Sequence, residues 1–212
     1  MASSENSLTV RYMQIQDIPD VMEIDSAWFK PPWPERSYRF ELNESQVSYM
    51  VILEKTEQHE VTGWRRLMNS LRGAENEVES RQVIVGYGGL WKIAEEAHVS
   101  TIASHPDYRG QKFGEILLAS MVKRAIVLKA GYVVLEVRVS NRVAQALYTK
   151  YGFTIHGVKK DYYHHDREDA YDMRLDLTSE NIEHVRQLCK TLEAKVSYKD
   201  WYSNTPHPRL GR

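Results

Sequence analysis

Apolar and polar side chains alternate from Leu8 to Gln14, the two-residue period of a half-buried strand. Asp17 follows as an N-cap, Pro19 falls in a first turn, and Ile18, Val21, Met22 and Ile24 recur at near-helical spacing, which predicts a helix. Residues 29–34 then carry three prolines; each restricts itself and the residue before it, so the helix ends there. A second short helix is expected from Glu35 to about Asn43. Residues 47–54 and 83–91 are near-continuous apolar runs and read as buried strands.

Between those strands, residues 55–82 are dense in charges of both signs, with Trp64, Leu67, Met68 and Leu71 at helical spacing inside them. A helical flap and a mobile loop both fit, and a solvated insertion with one small apolar stripe is the plainer expectation.

From residue 97 the pattern sharpens. A strand over Val99–Ser104 runs into a polar, glycine-containing loop. A helix follows with Ile116, Leu117, Met121, Ala125 and Leu128 on one face, closed by Gly131. Tyr132–Arg138 is the next strand. Asn141 opens a helix holding Ala144, Leu147, Tyr148 and Tyr151. Residues 152–157 and 169–177 are two further strands, and Thr178 starts a C-terminal helix to about Lys195, before a tail expected to be loose. No repeat or low-complexity block interrupts this α/β order.

The 212 residues hold 42% hydrophobic and 27% charged side chains, enough for one large domain or one domain with insertions. A net charge of −1 removes the footprint of a general nucleic-acid binder. No apolar run approaches the ~18 residues a membrane span needs. Residues 1–7 lack a basic stretch followed by an apolar one, so no signal peptide is expected. Cys189 is the single cysteine, which excludes an intrachain disulfide and points to a reducing cytoplasm.

The loop Arg109–Gly114 (Arg109, Gly110, Gln111, Lys112, Phe113, Gly114) stands between a strand and a helix. Helix-start N–H groups and the helix dipole favour a pyrophosphate there, and a tight turn needing glycine for geometry alone fits equally well. Glu136 is a carboxylate inside an apolar strand, on the face of Val134 and Arg138; such a residue is paired, exposed or functional. His164 and His165 beside Asp166 have poor chelating spacing, and no metal is assigned.

Residues 102–114, 135–141, 144–148 and 151–153, in that order, resemble the GNAT N-acetyltransferase superfamily. Residues 29–33, Tyr162, Tyr163 and residues 168–173 look like its RimI-type ribosomal-protein alanine N-acetyltransferase branch, and are close to archaeal N-terminal acetyltransferases. The resemblance covers roughly residues 8–177. It implies an α/β GNAT fold: a mostly antiparallel mixed sheet flanked by helices, with a V-shaped splay between the fourth and fifth strands. The domain would span residues 1–177, with a helical extension and tail over 178–212.

The resemblance further implies acetyl-CoA as donor, with Arg109–Gly114 on its pyrophosphate and Ile102, Ala103 and Ser104 paired to its pantetheine arm. Lys112 departs from the family pattern by standing at a usual glycine position, where a Cβ crowds the phosphates if φ is positive. Glu136 matches the general base, with a pKa expected to rise on desolvation. Tyr148 matches the general acid for the leaving thiolate, and its plain alternative is packing. Asn141 caps its helix or contacts the cofactor. The acceptor would be bordered by Phe29, Trp33, Tyr162 and Tyr163 and by His98 near the proton-accepting water; Glu35 would attract its cationic end. Exposure for His98, core packing for Trp33 and a helix-dipole role for Glu35 are the plain alternatives.

The implied reaction is direct attack of a neutral amine on the thioester. An α-amine of pKa about 8 has over a hundredfold more neutral fraction at pH 7 than a lysine at about 10.4. The expected acceptor is therefore a protein N-terminus, as of a ribosomal protein beginning with alanine. A small-molecule amine or lysine acetyltransferase, and an inactive acetyl-CoA-binding or scaffold module, are the alternatives. The sparse basic charges of the tail, mixed with acids, argue against ribosomal RNA docking.

Overall fold

A computed structural model of the chain describes residues 7–60 and 78–209. Among these residues, eight strands form one sheet in the order β6-β7-β5-β4-β3-β2-β1-β8. They are β1 (Leu8–Tyr12), β2 (Ser48–Glu60), β3 (Val78–Ile93), β4 (Glu96–Ser104), β5 (Tyr132–Arg138), β6 (Thr154–Tyr163), β7 (Glu168–Asp176) and β8 (Tyr198–Asp200). Only β4 with β5 and β1 with β8 run parallel; every other neighbouring pair is antiparallel.

Alternation along the strands divides the core. Val51 and Leu53 join the cluster beneath α3 (Phe113–Val127), α4 (Arg142–Lys150) and α5 (Ser179–Glu193). Met50 and Ile52 join the cluster beneath α1 (Ile18–Trp28) and α2 (Glu35–Asn43) on the other face. Helix α3 lies close on β3 because β3 has no side chain at Gly86, where a Cβ would stand 2.9 Å from Leu117 Cδ1.

The expected splay is present and has a local cause. β4 pairs with β5 only from Glu96↔Tyr132 to Val99↔Leu135. On β3, Leu90 faces Val99 and Gly89 faces Thr101, which leaves Ser100 as an extra residue on β4. That bulge bends β4 where its pairing with β5 stops, so residues 100–104 diverge from Glu136–Arg138.

Three expectations change. The charged stretch read as an insertion over 55–82 begins and ends as a β-ladder, with β2 and β3 paired out to Glu60↔Val78; the apolar stripe from Trp64 to Leu71 lies outside the described residues. β6 does not stop at residue 157 but continues to Tyr163, an exposed edge strand whose polar side chains gave no alternation to read. The tail is not loose over residues 198–209. β8 pairs with β1, and the fully buried Tyr202 donates its hydroxyl to Tyr49 O at 2.9 Å. Arg209 reaches Glu41 O and Ser45 O at 3.1 Å. No helix among the described residues is long and apolar enough to cross a membrane.

Candidate active site

Glu136 and His98 meet where the strands part. β5 buries Leu135 and Val137 beneath α3–α5 and turns Glu136 to the opposite face. Val99 is the last paired residue of β4, so His98 stands one position before the gap, with Nε2 2.8 Å from Glu136 Oε2. Lys159 reaches from β6 across β7 and donates to Glu136 Oε1, with Asp172 of β7 at 4.0 Å.

This pairing corrects the expected pKa direction. Burial pushes the Glu136 carboxyl up, but the hydrogen bonds from His98 and Lys159, with their charges, outweigh it and hold it down at about 2. Arg138, on the same face of β5, is engaged by Asp166 and Glu168, each at 2.7 Å. Lys159 is the residue sequence reasoning missed. It lies 23 positions from Glu136 on a strand expected to have ended, and the hydrophobic pattern carries no signal for it.

Aromatic side chains surround the pair. The Trp91 ring meets His98 edge-on at 5.5 Å, and Trp33 stacks on Trp91 at 6.4 Å. Trp33 also packs on Tyr38 at 5.5 Å, the packing expected as its plain alternative. Asp25, 1% exposed, fixes the loop before α2: it accepts from Trp33 N at 2.7 Å and from the Tyr87 hydroxyl. On the far side, Tyr162 and Tyr163 meet edge-on at 5.2 Å, and Arg138 lies 3.9 Å from the Tyr163 ring centroid. Burial and the neighbouring Glu136 push the Tyr162 hydroxyl up to about 12. Both tyrosines, which fall between the strands expected over residues 152–157 and 169–177, lie at the end of β6.

Phe29 packs against the cluster beneath α1 and α2. Glu35 is not brought to the pair: it is exposed in the first turn of α2, with Arg39 2.6 Å away. Tyr148 is on the opposite face of β5, 5% exposed, its ring 5.9 Å from Phe153. Burial, then Tyr163, raises its hydroxyl pKa, so it holds its proton at neutral pH. Asn141 caps α4 by accepting from Ala144 N at 3.1 Å.

The other end of the gap is the loop leading into α3. Gly110 and Lys112 both have positive φ, 77° and 65°, and Lys112 is the N-cap of α3. Alternating left-handed residues ahead of a helix turn successive N–H groups to one side, the concavity that takes an anion. Lys112 therefore adopts the backbone that the usual glycine would, at a steric cost glycine avoids. Arg109 and Gln111 are exposed. Phe113 is core, its ring 6.0 Å from Tyr108, so only its backbone serves the loop. Ile102 packs on the α3 side and Ala103 on the α1 side; by backbone alternation the groups of Ala103 face β3, and those of Ile102 and Ser104 face the gap. Ser100 Oγ is buried at the bulge with no hydrogen-bond partner among the described residues.

A shallow concavity of about 570 Å³ lies beside this gap, lined by Val139, Ser140, Arg142, Arg167, Glu168 and Asp169. Glu136, His98 and residues 100–104 of β4 are not among its lining residues.

Comparison with known proteins places this geometry. Residues 18–153 match the acetyltransferase (GNAT) family. A Bacillus subtilis protein named as a putative ribosomal protein bS18-alanine N-acetyltransferase is 35% identical, over 77% of this chain and 92% of its own. The Escherichia coli K12 protein named for the same activity is 24% identical, over 80% of this chain and 98% of its own. The crystal structure of the Escherichia coli ribosomal-protein-S18-alanine N-acetyltransferase superposes with a TM-score of 0.60 at 23% identity, covering 81% of this chain and 94% of that one. A strand pair split above a glycine-bearing loop, together with a match through most of the chain, has one reading: the chain belongs to the acetyltransferase (GNAT) family.

Proposed function

We propose that the protein transfers the acetyl group of acetyl-CoA to the N-terminal α-amine of a protein, with ribosomal proteins that begin with alanine as the first candidates. The observation that carries this reading is the Glu136–His98–Lys159 cluster, an ammonium-binding carboxylate at the point where β4 and β5 part.

The residues present fit acetyl-CoA. Past Val99, β4 has backbone groups without a partner on β5, the requirement for an extended amide chain to pair there. The Gly110–Lys112 concavity and the start of α3 suit a pyrophosphate, with Arg109 and Lys112 adding charge. Acetyl-CoA would supply an activated acyl group as its thioester. Cys189 is buried with its thiol pushed up to about 11, a poor nucleophile, which favours direct transfer over an acyl-enzyme.

A carboxyl held near 2 is a weak base toward an amine of pKa about 8. The proton-accepting unit is therefore the pair: the Glu136 carboxylate, hydrogen-bonded to the His98 ring, attracts the acceptor's ammonium, which gives up its proton there. An acceptor ammonium takes the place that Lys159 occupies on Glu136. Tyr148, protonated in its buried setting, would supply a proton to the thiolate that acetyl-CoA leaves. Trp33, Trp91, Tyr162 and Tyr163 border the acceptor backbone. The modest proton-accepting power of the pair favours α-amines, whose neutral fraction at pH 7 is far larger than a lysine's. The lone buried cysteine fits a reducing cytoplasm.

The test is acetyl-CoA turnover on a panel of N-terminal peptides, including alanine-starting ribosomal sequences, against a lysine-containing peptide with a blocked terminus. Turnover with free termini and none with the blocked peptide is expected. Acetylation of the lysine alone overturns the proposal.

A further inference from the structure

The free edge of β4 already has a donor on it. His105 gives its N–H to Val85 O on β3 at 2.9 Å, so backbone alternation turns the groups of Ser104 to the other side, into the gap. There the Ser104 carbonyl accepts from Trp28 Nε1 at 2.7 Å. Trp28 is the last residue of α1 and is 37% exposed. Over the same indole, 4.3 Å from its ring centroid, lies the guanidinium of Arg109, the first residue of the anion loop. One side chain thus bridges the strand edge and the loop.

A chain pairing with β4 would run about 4.8 Å from it. An indole whose nitrogen is 2.7 Å from the Ser104 oxygen fills that space. We propose that Trp28 guards the entrance to the gap. Its N–H keeps, on Ser104 O, the place of an amide N–H from an extended amide chain ending in a pyrophosphate, and its ring parks Arg109 until that pyrophosphate draws the guanidinium away. Binding displaces the indole from Ser104 and releases Arg109 together. This rests on the acetyl-CoA reading above and adds to it a residue that ligand must move.

The test is calorimetric titration of wild type, Trp28→Phe and Trp28→Leu with CoA and with inorganic pyrophosphate, alongside intrinsic fluorescence. Phenylalanine keeps a ring for Arg109 and has no N–H. With one competing hydrogen bond removed, Trp28→Phe should bind CoA about two- to tenfold tighter, with pyrophosphate affinity unchanged. The fluorescence change on adding CoA to wild type should disappear in both variants. Unaltered or weaker CoA affinity in Trp28→Phe, with wild type binding CoA and the fluorescence change persisting, overturns the guard alone. Wild-type protein that binds no CoA overturns the acetyl-CoA reading and the guard with it.

Discussion

Glu136→Gln preserves the shape of the side chain and removes its charge. In the wild type the carboxyl is held at about 2 rather than 4.5, burial opposing and the His98 and Lys159 hydrogen bonds prevailing. At about 1.4 kcal/mol per unit, that drop corresponds to about 3 kcal/mol of folded-state stability. The Lys159 side chain is 42% exposed, so water screens its share, and the expected loss is about 1–2 kcal/mol. A depressed carboxyl pKa stabilises above the unfolded value near 4.5 and gives that stability up as pH falls toward 2. Urea unfolding should therefore show the variant less stable than wild type at pH 7, with the gap closing below about pH 4. In steady-state kinetics, kcat/KM for an N-terminal peptide should fall by about 10²–10⁴, the range of general acid–base contributions. Turnover within twofold of wild type would refute the catalytic role. A stability gap that widens in acid would refute the electrostatic argument.

Tyr148→Phe keeps the ring against Phe153 and deletes the proton; kcat should drop about 10²-fold with the peptide KM little changed, read from initial rates. Asp25→Ala leaves the Tyr87 hydroxyl and Trp33 N–H without their carboxylate. It should cost about 2–4 kcal/mol in urea unfolding and raise the peptide KM, because the loop carrying Trp33 is no longer pinned. Lys112→Gly relieves a left-handed backbone worth about 1 kcal/mol and returns part of it as glycine entropy. Its Tm should hold or rise slightly by calorimetry, while CoA affinity falls a few-fold with the lost charge.

How much of this was legible in the sequence depended on where each signal lived. Glu35–Asn43 and Tyr132–Arg138 came out with the expected bounds, because proline, asparagine and glycine punctuate short, strongly patterned segments. Glu136 could be singled out as a carboxylate in an apolar strand, yet its pKa direction could not. Burial is a local property that the pattern reports, whereas Lys159 arrives from another strand and reverses the outcome. β8 and Tyr202 were illegible for a related reason: Tyr202 is buried only because Tyr12 and Tyr49, some 150 or more residues earlier, lie beneath it.

Ser100 shows how one position can serve both ends of the site. Before it, β4 is an ordinary parallel partner of β5, and that pairing sets His98 against Glu136. At it, the extra residue bends the strand. After it, the backbone of Ile102 and Ser104 has no strand to pair with and runs toward the loop of Arg109–Gly114. A regular β4 of the same composition would stay zipped to β5 and keep His98 beside Glu136, but it would close the gap. On the proposed reading, proton transfer and donor binding are separable demands on one strand, and the bulge lets neighbouring residues meet both.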